Sequence, residues 1–339
     1  VPRRAGSLRV AIALLGLSVT ATPALGQQGV TECRVTPAAL GQPLDLCQKA
    51  SDLFAFLAPQ AGLAVAGGNF LPGEGGSLGG FGVRSASLRV VAVDGRVPDR
   101  RVPLDLGGTA VASDFGAART VIPMPALDVG IGLFRGWPVG LSNVGGIDLL
   151  LGVTALPRVA RSAVEIGPQG SALAWSWGAR VGLLQESSFI PGLGVSLMRR
   201  RVPSMQLRYT PADDSLLVDD GGITSRSVRV TMSKRFTFIG LAAGVGRDQL
   251  EATGAVRAVV NTPGAGAAER LELALPGLRD AVSRNTAFVN VALGYPMLRL
   301  VAEVGWSGAG DLRRTVNSFG ARTANEGCRY GSLGLGVRF

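Results

Sequence analysis

The 339-residue sequence contains no histidine. That absence removes serine–histidine hydrolytic triads, imidazole general bases and imidazole metal sites. Lysine is almost missing as well, with Lys49 and Lys234 the only two, so arginine carries nearly all of the formal net charge of +10. Neither lysine follows a glycine-rich run with the spacing of a phosphate loop. Cysteine is limited to Cys33, Cys47 and Cys328, and none of the three stands beside an activating base. Beyond residue 26 no apolar run reaches the roughly 20 residues that a spanning helix needs, although the mean hydropathy is positive at +0.31.

Hydrophobicity is therefore spread in short pieces, and the pieces alternate. In the terminal stretch GSLGLGVRF, Leu333, Leu335, Val337 and Phe339 fall on one face of a strand, with Ser332, Gly334, Gly336 and Arg338 on the other. The same period of two runs through Ala287–Tyr295 and resumes in Leu298–Trp306 after a tight turn at GYPM, which makes these two antiparallel neighbours. Trp175 and Trp177, the Val228–Met232 and Ile239–Val245 series, and Leu127–Leu133 with Ile147–Val153 repeat it. A long strand over 190–209 carries a bulge near Pro203, where the outward phase of Val195 and Leu197 breaks before Leu207 and Tyr209.

Ten strands follow: 82–93, 124–135, 144–156, 172–186, 190–209, 224–235, 236–259, 284–295, 297–308 and 327–339. A further hairpin within 60–120 would make twelve. The connections near 136–143, 187–190, 235 and 296 are short, whereas 94–123, 157–171, 210–223, 260–283 and 309–326 are long. Within 260–283 the stretch AAERLELALPGLRDAV sets Leu271, Leu275 and Leu278 near one face of a candidate loop helix. Oily on one face and small or wet on the other, such strands suit a half-buried soluble sheet or a membrane barrel. Forty-nine glycines and the clean alternation favour the barrel.

Residues 1–26 read as a secretory signal peptide: Arg3, Arg4 and Arg9, an apolar run over Val10–Val19, and Ala24-Leu25-Gly26 as the cleavage site. Residues 27–81 form a separate N-terminal segment, with an amphipathic helix over about 44–58 that ends at Pro59. It is expected to be a periplasmic lid or strand leader in preference to a plug in the lumen. The glycine-rich run GGNFLPGEGGSLGGFG then leads into a barrel over 82–339. A Cys33–Cys47 disulfide would close a short loop worth about 3 kcal/mol, with three free thiols as the alternative.

The leader, the alternating strands, the short turns and Phe339 together resemble a Gram-negative outer-membrane β-barrel protein, and the resemblance covers essentially the whole chain after residue 26. It implies an all-β fold: a closed antiparallel up-and-down transmembrane barrel of about ten strands with a short N-terminal helical segment, located in the bacterial outer membrane. Leu333, Leu335, Val337 and Phe339 match the signal that the barrel-assembly machinery reads in that class. Outer-membrane lipid and lipopolysaccharide are the other implied partners. Long connections lie outside the cell and short ones in the periplasm.

Extending the strand phases places Arg89, Arg180, Arg208, Arg229, Arg299 and Arg338 inward, against Asp128, Asp148 and Glu303, with Arg299 and Glu303 as neighbours. A positive surplus in a water-filled lumen favours anions. The first expectation is therefore a passive pore or transporter for small solutes. The second is a closed structural barrel that binds partners through its external loops. No enzyme activity, cofactor, resident metal or nucleic-acid partner is expected; the acidic pairs Asp213-Asp214 and Asp219-Asp220 read as a hydrated loop, not a calcium site.

Overall fold

Each alternating segment pairs with its neighbours in sequence. The computed structural model describes residues 44–104, 110–211, 214–262, 269–294, 297–311, 315–320 and 322–339; the proposed leader, Cys33 and Tyr295 lie outside them. One helix, α1 (Leu44–Ala66), precedes fourteen strands. They are β1 (Arg84–Val97), β2 (Ala118–Phe134), β3 (Trp137–Val139), β4 (Ser142–Val144), β5 (Gly146–Ala155), β6 (Val159–Arg161), β7 (Val164–Pro168) and β8 (Leu173–Leu184). Then come β9 (Gly192–Tyr209), β10 (Ser215–Phe236), β11 (Ile239–Thr262), β12 (Glu269–Gly294), β13 (Leu298–Ser307) and β14 (Cys328–Arg338).

Ten of these form a closed antiparallel ring in the order β1, β2, β5 and β8 to β14, shut by β14 against β1. They coincide with the ten expected from the sequence. β3 and β4 make a small hairpin in the connection after β2. The β6–β7 hairpin adds to β9, with Val164 opposite Tyr209, at a height that β8 does not reach. Among the described residues of 98–117 there is only an isolated bridge from Asp114 to Ser318, so the twelve-strand alternative is not realised.

Three expectations change. The segments 210–223 and 260–283 are mostly wall, not loop: β10 starts at Ser215, β11 runs to Thr262 and β12 starts at Glu269. The candidate loop helix around Leu271 and Leu278 is therefore part of β12, and Asp219, taken for a hydrated loop residue, is buried in β10. In β9 the buried positions pass from Val202 to Met205, so the bulge at Pro203 turns Leu207 and Tyr209 inward and leaves Arg208 exposed on the outer surface. Arg208 does not line the lumen.

The wall has two levels. Around the end that carries the short turns, the outer surface is an apolar belt that includes Leu88, Leu127, Ile147, Leu241, Val291 and Leu335, all exposed. Trp175, Trp177 and Trp306 edge it on one side and Phe134, Trp137, Phe236 and Phe339 on the other, as interfacial aromatics do in membrane barrels. Inside this level lie buried polar and charged side chains, together with a small apolar cluster of Phe70, Leu71, Leu78, Leu150 and Met198. Strands β10, β11 and β12 continue well past the belt, with 22, 24 and 26 residues. At about 3.3 Å per residue and a tilt near 40° such strands stand about 55–65 Å tall, against an apolar band of about 25 Å. In the projecting level the interior is apolar, built from Val93, Ile122, Leu216, Leu250, Val256 and Leu278.

Candidate functional site

The apolar interior of the projecting level is filled by α1. Its side chains are buried on every face, including Leu46, Leu53, Phe54, Phe56 and Leu57, as a helix surrounded by a core requires. The helix packs against β1, β2, β9, β10, β11 and β12, so it occupies the lumen and is not the periplasmic lid or leader expected from the sequence. Nor does it end at Pro59. It runs on to Ala66, because packing from all sides outweighs the one backbone hydrogen bond that proline cannot donate.

Polar residues of α1 face the long connections at the mouth of the projecting level. Lys49 pairs with Asp45 at 2.5 Å and donates to the Pro103 carbonyl at 2.7 Å. The Asp45 carboxylate accepts from Val111 N–H at 2.9 Å. Asp52 accepts from Val316 N–H, Asn317 N–H and Asn317 Nδ2 at 3.0, 2.9 and 2.8 Å. Phe56 stacks on Phe319 with centroids 4.0 Å apart, and Phe115 meets Phe319 and Tyr209 at 5.6 and 5.4 Å. Helix and connections thus form one lid over that mouth. Cys47 is disulfide-bonded and Cys328 is free.

The other end of α1 points down into the charged level. Arg229 donates to the Ala66 carbonyl at 2.5 Å, and Arg89 to the Gly67 and Asn69 carbonyls at 3.2 and 3.4 Å. Guanidinium groups there satisfy the orphan carbonyls of the helix terminus and complement its negative dipole end. Gly68, at φ +85°, allows the sharp exit from the helix.

Residues 67–81 then thread the lumen towards the short turns. Asn69 N–H donates to Glu303 at 2.8 Å, Gly73 N–H to Asn290 at 3.2 Å and Gly75 N–H to Ser233 at 2.9 Å. Leu78 N–H meets both Asp148 oxygens at 3.0 and 3.1 Å. The wall makes room by presenting glycine. A Cβ on Gly182 would stand 2.7 Å from Ser77 N, and one on Gly192 2.8 Å from Gly76 N. This explains the small residues on the inner face of the strands.

Every sequence-derived lumen residue except Arg208 sits in this arrangement. Arg89 pairs with Asp128 at 2.5 Å and Arg180 with Asp148 at 2.9 Å. Arg299 does not pair with Glu303. Its partner is Glu74, at 2.5 Å, which also lies 3.6 Å from Arg180 and 3.5 Å from Arg338. Glu303 instead accepts from the Asn290 side chain as well as from Asn69. Arg338 also donates to the Leu78 carbonyl at 2.6 Å. The sequence reading missed Glu74, Asp248 and Arg200. Asp248, which pairs with Arg229 at 3.3 Å, and Arg200, which donates to Ser227 at 2.7 Å, were open to view by extending the phases of β11 and β9. Glu74 stands in a glycine-rich segment with no period to extend.

Below Glu74 the interior opens into two neighbouring clefts at the short-turn mouth. One, of 440 Å³, lies between Glu74–Ser77 and Ser233–Arg235; the other, of 540 Å³, lies between Leu78–Gly79 and Arg135–Asn143. Among the described residues no group of three or more histidine, cysteine, aspartate or glutamate side chains is placed to hold a metal. Asp219 is tied to Gln169, Gln206 and Arg257 at 2.7, 2.9 and 3.1 Å. Leu333, Leu335 and Val337 face outward on β14, and the Phe339 backbone pairs with Arg84 at 2.8 and 3.0 Å.

No family model matches the sequence, and no curated protein matches it. Solved structures with a similar fold are outer-membrane proteins. The translocator domain of autotransporter NalP from Neisseria meningitidis is 14% identical, with 77% of this chain and 89% of that chain covered and a TM-score of 0.42. The transport unit of the autotransporter AIDA-I from Escherichia coli is 9% identical over 85% and 99% of the two chains, with a TM-score of 0.35. The outer membrane protease OmpT from Escherichia coli is 10% identical over 76% and 96%, with a TM-score of 0.33.

Proposed function

We propose that the chain is an outer-membrane barrel kept closed by its own residues 44–81, and that its working surface is the wall and mouth projecting beyond the belt. One observation carries this reading: the arginines that would line an anion path hold the interior segment instead. Arg89, Arg180, Arg229 and Arg338 each donate to a backbone carbonyl of that segment, and Arg299 holds Glu74. The closed, surface-binding alternative is therefore preferred over a passive pore for small solutes.

In this reading the barrel is no enzyme. Histidine is absent, and the lumen carboxylates Asp128, Asp148 and Asp248 are engaged by arginines. The leader delivers the chain across the inner membrane, and the assembly machinery reads Leu333, Leu335, Val337 and Phe339. A plugged transporter is the second reading, favoured by the clefts of 440 and 540 Å³ that open from the short-turn mouth to the Glu74 cluster. Planar-bilayer recording of the refolded full chain separates these ideas. With heat-modifiable gel mobility proving the fold, the membrane should stay silent; steady anion-selective steps would overturn the proposal.

A further inference from the structure

We propose that the cleft at the short-turn mouth binds a small solute bearing two or more carboxylates, which replaces Glu74 on Arg299 and Arg338 and thereby loosens residues 67–80. The inference rests on the closed-barrel reading above and adds the ligand to which the inner segment answers. Glu74 is the only acid of that segment. Arg299 at 2.5 Å, Arg338 at 3.5 Å and Arg180 at 3.6 Å converge on its carboxylate, so a tethered side chain holds a place that a free carboxylate fits.

Positive charge is left over around it. Asp148 is taken by Arg180 at 2.9 Å, and Glu74 is then shared between Arg299 and Arg338. Even so, Glu74 Oε2 and Arg180 Nη2 are buried without a hydrogen-bond partner. Arg338 keeps 27% of its side chain exposed, and Arg235, exposed at the rim, forms no ion pair among the described residues. Glu186, the other acid of the cleft, is already engaged by Arg235 N–H at 2.6 Å and Ser233 Oγ at 2.9 Å. A guanidinium grips a carboxylate at two points.

The shape of the mouth selects the size and valence of the ligand. Arg235 and Arg338 both line the cleft of 440 Å³, and Arg235 and Arg299 both line a recess of 30 Å³ beside Gly73. The larger volume falls within the roughly 300–1,000 Å³ of small-molecule sites. A solute with several carboxylates spans arginines borne on β10, β13 and β14, which one inorganic oxyanion does not. Glu74 can yield, because Gly73, Gly75 and Gly76 flank it and their backbone turns without a Cβ to obstruct it.

Calorimetric titration of the refolded full chain in detergent micelles tests this, with citrate, trimethyl citrate and inorganic phosphate as probes. Citrate should bind at least tenfold more tightly than phosphate, and the uncharged ester should give no heat. Removing the tethered competitor in E74Q should tighten citrate binding at least fivefold, with E74D between E74Q and the wild type, whereas R338Q should weaken it at least tenfold. Saturating citrate should also quicken amide exchange in residues 67–80 while residues 46–60 of α1 stay unchanged. Citrate binding no tighter in E74Q, phosphate binding as tightly as citrate, or unaltered exchange in 67–80 would each overturn the proposal. A barrel that conducts steadily without ligand yet meets these citrate results would overturn the closed reading alone; a silent barrel that ignores citrate would do the reverse.

Discussion

The two ends of β11 obey opposite rules on one uninterrupted strand. From Leu241 to Val245 the apolar side chains point outward; from Leu250 to Val260 they point inward. The pairing to β12 runs without a register shift from Ile239 to Gly254, so the backbone does not turn over. The surroundings change instead. Near the short turns the wall separates lipid from a polar interior, whereas beyond Arg247 it separates water from α1. The projecting half is built like a soluble protein, with a core inside and charge outside, and the belt half is its inverse.

Arginine substitutions along this strand break or sharpen the contrast. Leu250→Arg buries a charge against Gly62 of α1, and it should cost at least about 4 kcal/mol or prevent folding, from lost packing and an unpaired buried group. Ala243→Arg, outward in the middle of the belt, should cost about 2–4 kcal/mol in a bilayer. Thr253→Arg, outward in the projecting half, should stay within about 0.5 kcal/mol. Denaturant unfolding in lipid vesicles measures all three. Equal costs at Ala243 and Thr253 would show that the belt ends elsewhere.

The same inversion explains what the sequence reveals and what it hides. All ten ring strands are legible because their belt halves share one pattern, apolar outside. β12 was cut short at residue 284 because its apolar series passes from odd positions (Ala287, Val289, Val291) to even ones (Leu278, Val282), which resembles the end of a strand. Arg208 was misplaced because the bulge at Pro203 reverses the phase in β9. The path of residues 67–81 has no periodic signal: Glu74 and the surrounding glycines gain meaning only from strands more than 50 residues away in sequence. The helix is visible from its apolar residues, but its place inside the barrel depends on inward positions of the projecting half, such as Leu250 and Val256.

Within the belt half, the interior segment should depend on Glu74. Glu74→Gln leaves Arg299 and Arg180 without their shared carboxylate, and since a hydrogen bond to a charged group contributes about 1.5–3 kcal/mol, local opening of residues 67–80 should become easier by about 2–3 kcal/mol. Amide hydrogen exchange should rise there and remain unchanged in residues 46–60 of α1. Equal acceleration in both would show that helix and segment open as one unit.

The smallest effect concerns the outer lid. Asp114 accepts from Gly320 N–H at 2.7 Å, from Gly116 N–H and Ser318 Oγ at 3.1 Å, and pairs with Arg100. The Gly320 N–H above all, then the other donors, hold its carboxyl below the usual aspartate value. A carboxylate whose folded pKa is depressed stabilises the fold above its unfolded pKa, and that contribution disappears as pH falls through the folded value. Exchange of the 113–118 and 318–320 amides should therefore quicken below about pH 4, and Asp114→Asn should remove the pH dependence.

Everything said of the projecting half turns on α1 lying inside it. Gly62 faces Leu250 so closely that a Cβ at position 62 would stand 2.8 Å from Leu250 Cγ. A G62C/L250C variant, oxidised in intact cells and mapped by peptide mass spectrometry, tests the placement directly. A near-quantitative 62–250 disulfide is expected in protein with the heat-modifiable mobility of a folded barrel. Folded protein with both new thiols free and open to a membrane-impermeant reagent would contradict it.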